Sequence, residues 1–291
     1  MATTALRERM RAILRTRNYS ERTEETYILA VARFARHFGR SPDQLGRAEI
    51  DAYQIWLRNE KRVSVVLFNQ TMCALRFFYR EVLGKSDVVE RIPYARGVRR
   101  LPVVLSVEET IRYLSSIPEP RYRVLLTTIY ATGARLSEAL WLRGTDIDSA
   151  RMVVRIRQGK GKKDRYVPLP PALLEMLREH WRREHLHDLL FPSASDPSRP
   201  PSGATVQRYL QRFGSRAGLR KRVTPKTFRH CYATHLIEQG VSTRVVQVLL
   251  GHADVHTTET YTHVSPATLG NVVTPLERVL AATVPEPPPA P

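Results

Sequence analysis

Residues 84–105 break the helical rhythm of this chain. On either side apolar residues recur every three or four positions. From Gly84 to Leu105 that period lapses, and the stretch holds Pro93, Pro102, Gly97 and a cluster of Arg96, Arg99 and Arg100. A chain of 291 residues, 42% of them hydrophobic, that is interrupted in this way is expected to build two cores rather than one. The break therefore reads as a basic interdomain linker.

Before it, Tyr27, Val31, Phe34 and Phe38 are spaced by four, three and four residues, and Phe68, Met72, Leu75, Tyr79 and Val82 follow the same rule. Ile50, Tyr53 and Leu57 mark a further stripe. Burial of one helical face explains this spacing, so residues 1–83 are expected to form a domain of four or five helices, with Ser20 capping the second. Arg7, Arg9, Arg11, Arg15 and Arg17 crowd the first helix and suit a track of phosphates.

After the break, Ser106 and Glu109 form a capping box that opens a second domain over residues 106–282. Tyr122 to Thr132 is an apolar helix ended by Gly133. Arg151–Arg157 and Arg165–Leu169 alternate as strands around a basic turn, GKGKKD, which puts Lys160, Lys162 and Lys163 on a hairpin tip. Leu173 to Trp181 is helical, and FPSASDPSRPPSGA is a loop. Thr224 and Pro225 start a helix from Lys226 to Glu238. Ser242 caps another that ends at Gly251. Residues 283–291, TVPEPPPAP, are expected to be a Pro-rich tail, disordered or in polyproline II. The fold class is mainly α with a small β-sheet.

Charge narrows the function. With 46 Lys and Arg against 28 Asp and Glu, the formal charge is +18, which calls for a polyanionic partner. No apolar run approaches the ~18 residues of a membrane span, and the N-terminus lacks the hydrophobic stretch of a signal peptide, so nucleic acid is the expected polyanion. Cys73 and Cys231 are too few for a disulfide framework and lack zinc-site spacing, which fits a reducing cytoplasm.

Five polar residues of the second domain suit one chemistry: Arg135 in ATGARLSEAL, Lys160 in QGKGKKDRYVPL, Arg229 in TPKTFRHCYATHL, His252 in LLGHAD and Tyr261 in TTETYTHV. A phenol with an ordinary pKa of ~10 attacks phosphorus poorly at neutral pH unless cationic and hydrogen-bonding groups surround it. Two arginines, a histidine and a lysine meet that need. His252, His256 and His263 lack the context of a metal site.

These strings resemble the tyrosine recombinase/integrase family, in particular its compact Xer-like and integron-integrase-like members, over nearly the whole chain. The resemblance implies an N-terminal helical core-binding (SAM-like) domain and an α/β tyrosine recombinase catalytic domain. It implies Tyr261 as the nucleophile, Arg135 and Arg229 on the scissile phosphate, Glu138 supporting them, His252 bonding the same phosphate and Lys160 protonating the leaving oxygen. Arg96, Arg99, Arg100, Lys162 and Lys163 would contact DNA. Lys226 stands where the family most often has histidine. Lysine can clamp a phosphate oxygen but is a poor base at its usual pKa of ~10.4. His230 would point about 100° from Arg229 and serve packing.

The implied activity is site-specific cleavage and rejoining of double-stranded DNA through a 3′-phosphotyrosine, with no metal, ATP or other cofactor and no membrane. The implied assembly is a homo-tetramer on paired sites, linked through segments such as residues 268–282. A type IB topoisomerase-like nicking-closing enzyme and a catalytically weak DNA-binding relative are the alternatives.

Overall fold

The computed structural model describes residues 2–90, 92–97, 102–157 and 164–251. Arg99, Arg100, Lys160, Lys162, Lys163, His252, Tyr261 and the segments 268–282 and 283–291 lie outside the described residues. Two compact units divide at residue 100.

The first unit is built on α1 (Ala2–Thr16), α2 (Glu21–Phe38), α3 (Arg47–Asn59) and α4 (Val65–Phe77). Ser20 caps α2 by accepting the Thr23 backbone N–H at 3.2 Å. The apolar stripes turn inward: Phe34, Ile50, Met72 and Leu75 are buried, joined by Met10 and Leu14 of α1. Each such side chain contributes about 1.5–3 kcal/mol of transfer free energy. Two polar contacts fix how the helices meet. Buried Glu24 of α2 accepts from Arg11 Nε at 2.7 Å and Arg15 Nε at 3.0 Å, both on α1. The Tyr79 hydroxyl, also buried, lies 2.8 Å from the carbonyls of both Pro42 and Leu45 and shares its proton between them.

Beyond Phe77 the helix continues as one π-helical turn, Phe78–Val82, whose Phe78, Tyr79 and Val82 face the core. Residues 87–90 and 92–97 lie on this unit as well. Val89 and Ile92 are buried in its core, and the Asn69 side chain pairs with the backbone N–H and carbonyl of Ala95 at 2.8 and 3.0 Å. Arg96 is exposed.

The second unit runs α5 (Val107–Ser115), α6 (Pro120–Thr132), α7 (Leu136–Leu140), β1 (Ile147–Asp148), β2 (Val153–Ile156), β3 (Arg165–Pro168), α8 (Pro171–Arg183), α9 (Gly203–Phe213), α10 (Pro225–Glu238) and α11 (Thr243–Leu250). The Ser106–Glu109 box opens α5: Ser106 Oγ accepts the Glu109 N–H at 3.2 Å, and Glu109 accepts the Ser106 N–H at 2.9 Å. Helix α6 packs on both α8 and α10. The three strands form an antiparallel sheet in chain order, Val154 pairing with Ile147 and Val167, and Ile156 with Arg165. Val154, Ile156 and Val167 enter the same core as Leu126, Ile129 and Phe228.

Helix α9 follows the expected loop, in a stretch where the sequence reading placed no element. Only Val206 and Leu210 are buried along it, so its apolar stripe is too short to stand out. Among the described residues, no helix is long and apolar enough to cross a membrane.

Candidate active site

Four segments of the second unit meet around the Glu138 carboxylate. The first is the α6–α7 turn, where Gly133 ends α6 at φ +64°. A Cβ there would lie 2.5 Å from Tyr232 Cδ1, so both the backbone angle and the space require glycine. The turn brings Arg135 to the first residue before α7. Glu138, one helical turn on, accepts the Arg135 backbone N–H at 2.8 Å and Arg135 Nη1 at 2.6 Å.

The second segment is β3. Arg165 Nη1 and Nη2 donate to the two oxygens of Glu138 at 3.2 and 2.7 Å. The third is α10, whose Arg229 brings Nη1 to 3.9 Å from Glu138 Oε2. Arg229 also donates from Nη1 to the Gly133 carbonyl and from Nη2 to the Leu250 carbonyl at 2.7 Å. The fourth is the end of α11, whose Leu249 carbonyl accepts Arg165 Nε at 2.8 Å.

A carboxylate buried to 6% side-chain exposure is stable only when paired, and this one is shared by three guanidinium groups. Burial pushes the Glu138 pKa up, but the hydrogen bonds and charges of Arg165 and Arg135 outweigh it and hold the group at about 2. Glu138 is thus ionised throughout the neutral range. Three cations around one anion leave a local positive excess, and the arginines differ in how they present it. The Arg135 side chain is 28% exposed, whereas those of Arg165 and Arg229 are 9% and 7% exposed.

Lys226 lies one turn before Arg229 on α10 and is exposed. His230, one turn after Lys226, is half-buried, and its pKa is pushed down to about 4, first by burial and then by Lys226 and Arg229. Its imidazole is neutral at physiological pH.

Of the residues expected from sequence, Arg135, Glu138 and Arg229 come together, with Lys226 on the same helix as Arg229. Lys160, His252 and Tyr261 fall outside the described residues, although α11 ends at Gly251, immediately before His252. Arg165 was not anticipated. Strand alternation puts it on the same side as buried Val167, and an arginine at a core-facing position calls for a buried acid. That was the available signal. No group of three potential metal-ligating side chains occurs among the described residues.

Sequence comparison matches the Phage integrase family over residues 106–268 and the Phage integrase N-terminal SAM-like domain over residues 6–86. The chain is 41% identical over 288 residues to y4qK of Sinorhizobium fredii, covering 99% of this chain and 93% of that one. It is 36% identical over 201 residues to the tyrosine recombinase XerA of Thermococcus onnurineus, 68% of this chain and 70% of the relative. Among solved structures, the XerH site-specific recombinase bound to its palindromic difH substrate in a post-cleavage complex is similar with a TM-score of 0.69 at 25% identity, covering 87% of this chain and 79% of that one.

Proposed function

The chain belongs to the phage integrase family, and from that premise we propose that it is a site-specific DNA recombinase that cuts and rejoins strands through a 3′-phosphotyrosine intermediate. The observation that carries this reading is the gathering of Arg135 and Arg229 about Glu138, at the two positions where the family strings ATGARLSE and KTFRH would put the phosphate-binding arginines. Two guanidinium groups aimed at one phosphate orient it and stabilise the charge that grows on its nonbridging oxygens in the transition state.

Tyr261 attacks phosphorus, the leaving group is a 5′-hydroxyl, and the phosphodiester energy is kept in the protein–DNA bond. His252 bonds the scissile phosphate, and Lys160 returns a proton to the leaving oxygen. Lys226 adds positive charge as a clamp. Neither metal nor ATP enters the balance, because one phosphoester replaces another. Exchange between two duplexes needs four active sites, so the working assembly is a homo-tetramer on paired sites, acting in the cytoplasm. Arg96, Arg99, Arg100, Lys162 and Lys163 contact the duplex, with residues 1–83 as the core-binding domain, 84–105 as a linker whose Val89 and Ile92 are anchored in that domain's core, and 106–282 as the catalytic domain.

A nicked duplex whose short 5′-hydroxyl fragment diffuses away tests this. Wild-type protein in EDTA is expected to form a covalent adduct, and Tyr261→Phe none. Arg135→Ala is expected to slow adduct formation by about 100- to 1000-fold, as loss of one preorganised donor does. An adduct mapped to another tyrosine would end the assignment.

A further inference from the structure

We propose that Arg165 is a positioning residue for strand cleavage, acting through Glu138 to set the orientation of Arg135 and Arg229 and to join them to the end of α11. The inference rests on the recombinase reading above and concerns a residue outside the set of phosphate-contacting groups.

The whole guanidinium group of Arg165 is engaged within the protein. All three of its nitrogens donate inward: Nε to the Leu249 carbonyl, Nη1 and Nη2 to the two oxygens of Glu138. The side chain is 9% exposed, against 28% for Arg135. Space around it is committed too. A Cβ on Gly251 would lie 3.1 Å from Arg165 Cδ and 3.2 Å from Nη1, and Gly251 sits at φ +63°, so the cap of α11 is shaped around this side chain.

The function of such a fork follows from the torsions of glutamate. The last bond of the side chain is a broad sp³–sp² torsion, so the plane of a carboxylate needs outside contacts to fix it. A bidentate guanidinium does so. With the Glu138 plane set by Arg165, Oε1 is aimed at Arg135 Nη1 and Oε2 at the Arg135 backbone N–H, with Arg229 Nη1 3.9 Å away. Arg165 and Arg229 each also tie the 133–138 segment to an α11 carbonyl, at Leu249 and Leu250. Two cations, from β3 and α10, thereby hold the α6–α7 turn and the end of α11 in one frame.

A double-mutant cycle on the full chain tests this with the nicked duplex. Arg165→Gln is expected to slow adduct formation on the order of 100-fold, the cost of a small misplacement of reacting groups. In a Glu138→Gln background the same change should cost less than about threefold, because its effect has already been lost. Arg165→Lys keeps charge without the fork and guards against a Gln variant that does not fold. It should retain adduct formation near neutral pH and lose rate as pH falls from 7 toward 4.5, as Glu138, facing only Arg135, Arg229 and the single lysine charge, takes up a proton. Wild type, whose Glu138 keeps its charge over that range, should fall less, so the ratio of the two rates should grow as pH drops. Equal losses in both backgrounds, or an Arg165→Lys profile parallel to wild type, overturn the positioning role. Wild type that forms no adduct overturns the recombinase reading, and this inference with it.

Discussion

At the scale of single residues, the site is a problem of keeping one acid charged among arginines. Glu138 has a folded pKa of about 2 against an ordinary 4.5, so its contribution to stability is fully present above pH 4.5 and is lost as pH falls through 2. A shift of that size corresponds to about 3 kcal/mol, at about 1.36 kcal/mol per pH unit. Glu138→Gln should therefore lower unfolding free energy by an amount of that order at pH 7, read by urea titration. The difference from wild type should shrink steadily between pH 4.5 and pH 2. A difference independent of pH would show that the lost stability comes from packing. Lys226 poses the opposite problem, an exposed cation one turn from Arg229. If it acts as a clamp, Lys226→Arg should keep most adduct formation and Lys226→Ala should lose roughly 10-fold or more, in line with loss of a charge-assisted bond to phosphate. Lys226→His should be active with a rate that depends on pH near ~6.5, where an imidazole titrates. Equal rates for all four side chains would put position 226 outside the site.

At the scale of elements, what the sequence discloses is what short-range chemistry determines. The caps at Ser20, Ser106, Thr224 and Ser242 each accept the backbone N–H three residues on, because a hydroxyl before a helical run has few better partners. The stripe of Phe34 and the alternation of Val154 and Ile156 could be read for the same reason: one period suffices to choose the buried face. The elements that escaped are those whose reasons lie far along the chain. Helix α9 is held by Val206, Leu210 and the stacking of Tyr209 on Tyr122, 3.9 Å between ring centres, and no local pattern announces that pairing. The π-helical turn at Phe78–Val82 places the Tyr79 hydroxyl on carbonyls 34 and 37 residues away in sequence. Arg165 and Glu138 are 27 residues apart, so motif strings named the acid without its principal partner. Gly133 stands between these cases: its role as a helix stop was legible, whereas the Tyr232 ring that forbids a side chain was not. Gly133→Ala should therefore cost more than the ~1 kcal/mol of an ordinary positive-φ replacement, because Tyr232 must also move. Thermal unfolding measures the first loss, and the adduct rate reports whether Arg135 is displaced along with the turn.

At the scale of the molecule, each unit has its own core, and the charge of +18 is spread over a chain in which many arginines are already spoken for. On α1, Arg11 and Arg15 hold Glu24, and just past its end Arg17 holds Glu81, so within the first helix Arg7 and Arg9 are the cations with no ion pair among the described residues. Arg33, Arg36 and Lys61 in the same unit are likewise exposed and without an ion pair among those residues. In the second unit Arg155 of β2 and Arg157 just after it share the buried Asp146. A cation committed to a carboxylate releases little counterion when DNA arrives, whereas an uncommitted one that meets a phosphate adds about 0.9 to the slope of log affinity against log salt. The first unit is therefore expected to carry a large share of the salt dependence, beyond what its length alone would give. Binding of the full chain to its site, followed from about 50 to 200 mM salt, should fall by several orders of magnitude. A chain of residues 101–291, which retains the core of Leu126, Ile129 and Phe228, should bind more weakly and with a shallower slope. Arg7→Gln with Arg9→Gln in the full chain should flatten the slope by up to about two, leaving the rate of adduct formation at saturating DNA unchanged. If the isolated second unit binds as tightly and as steeply as the whole chain, the first unit is not a phosphate-gripping arm, and its exposed cations serve something other than DNA.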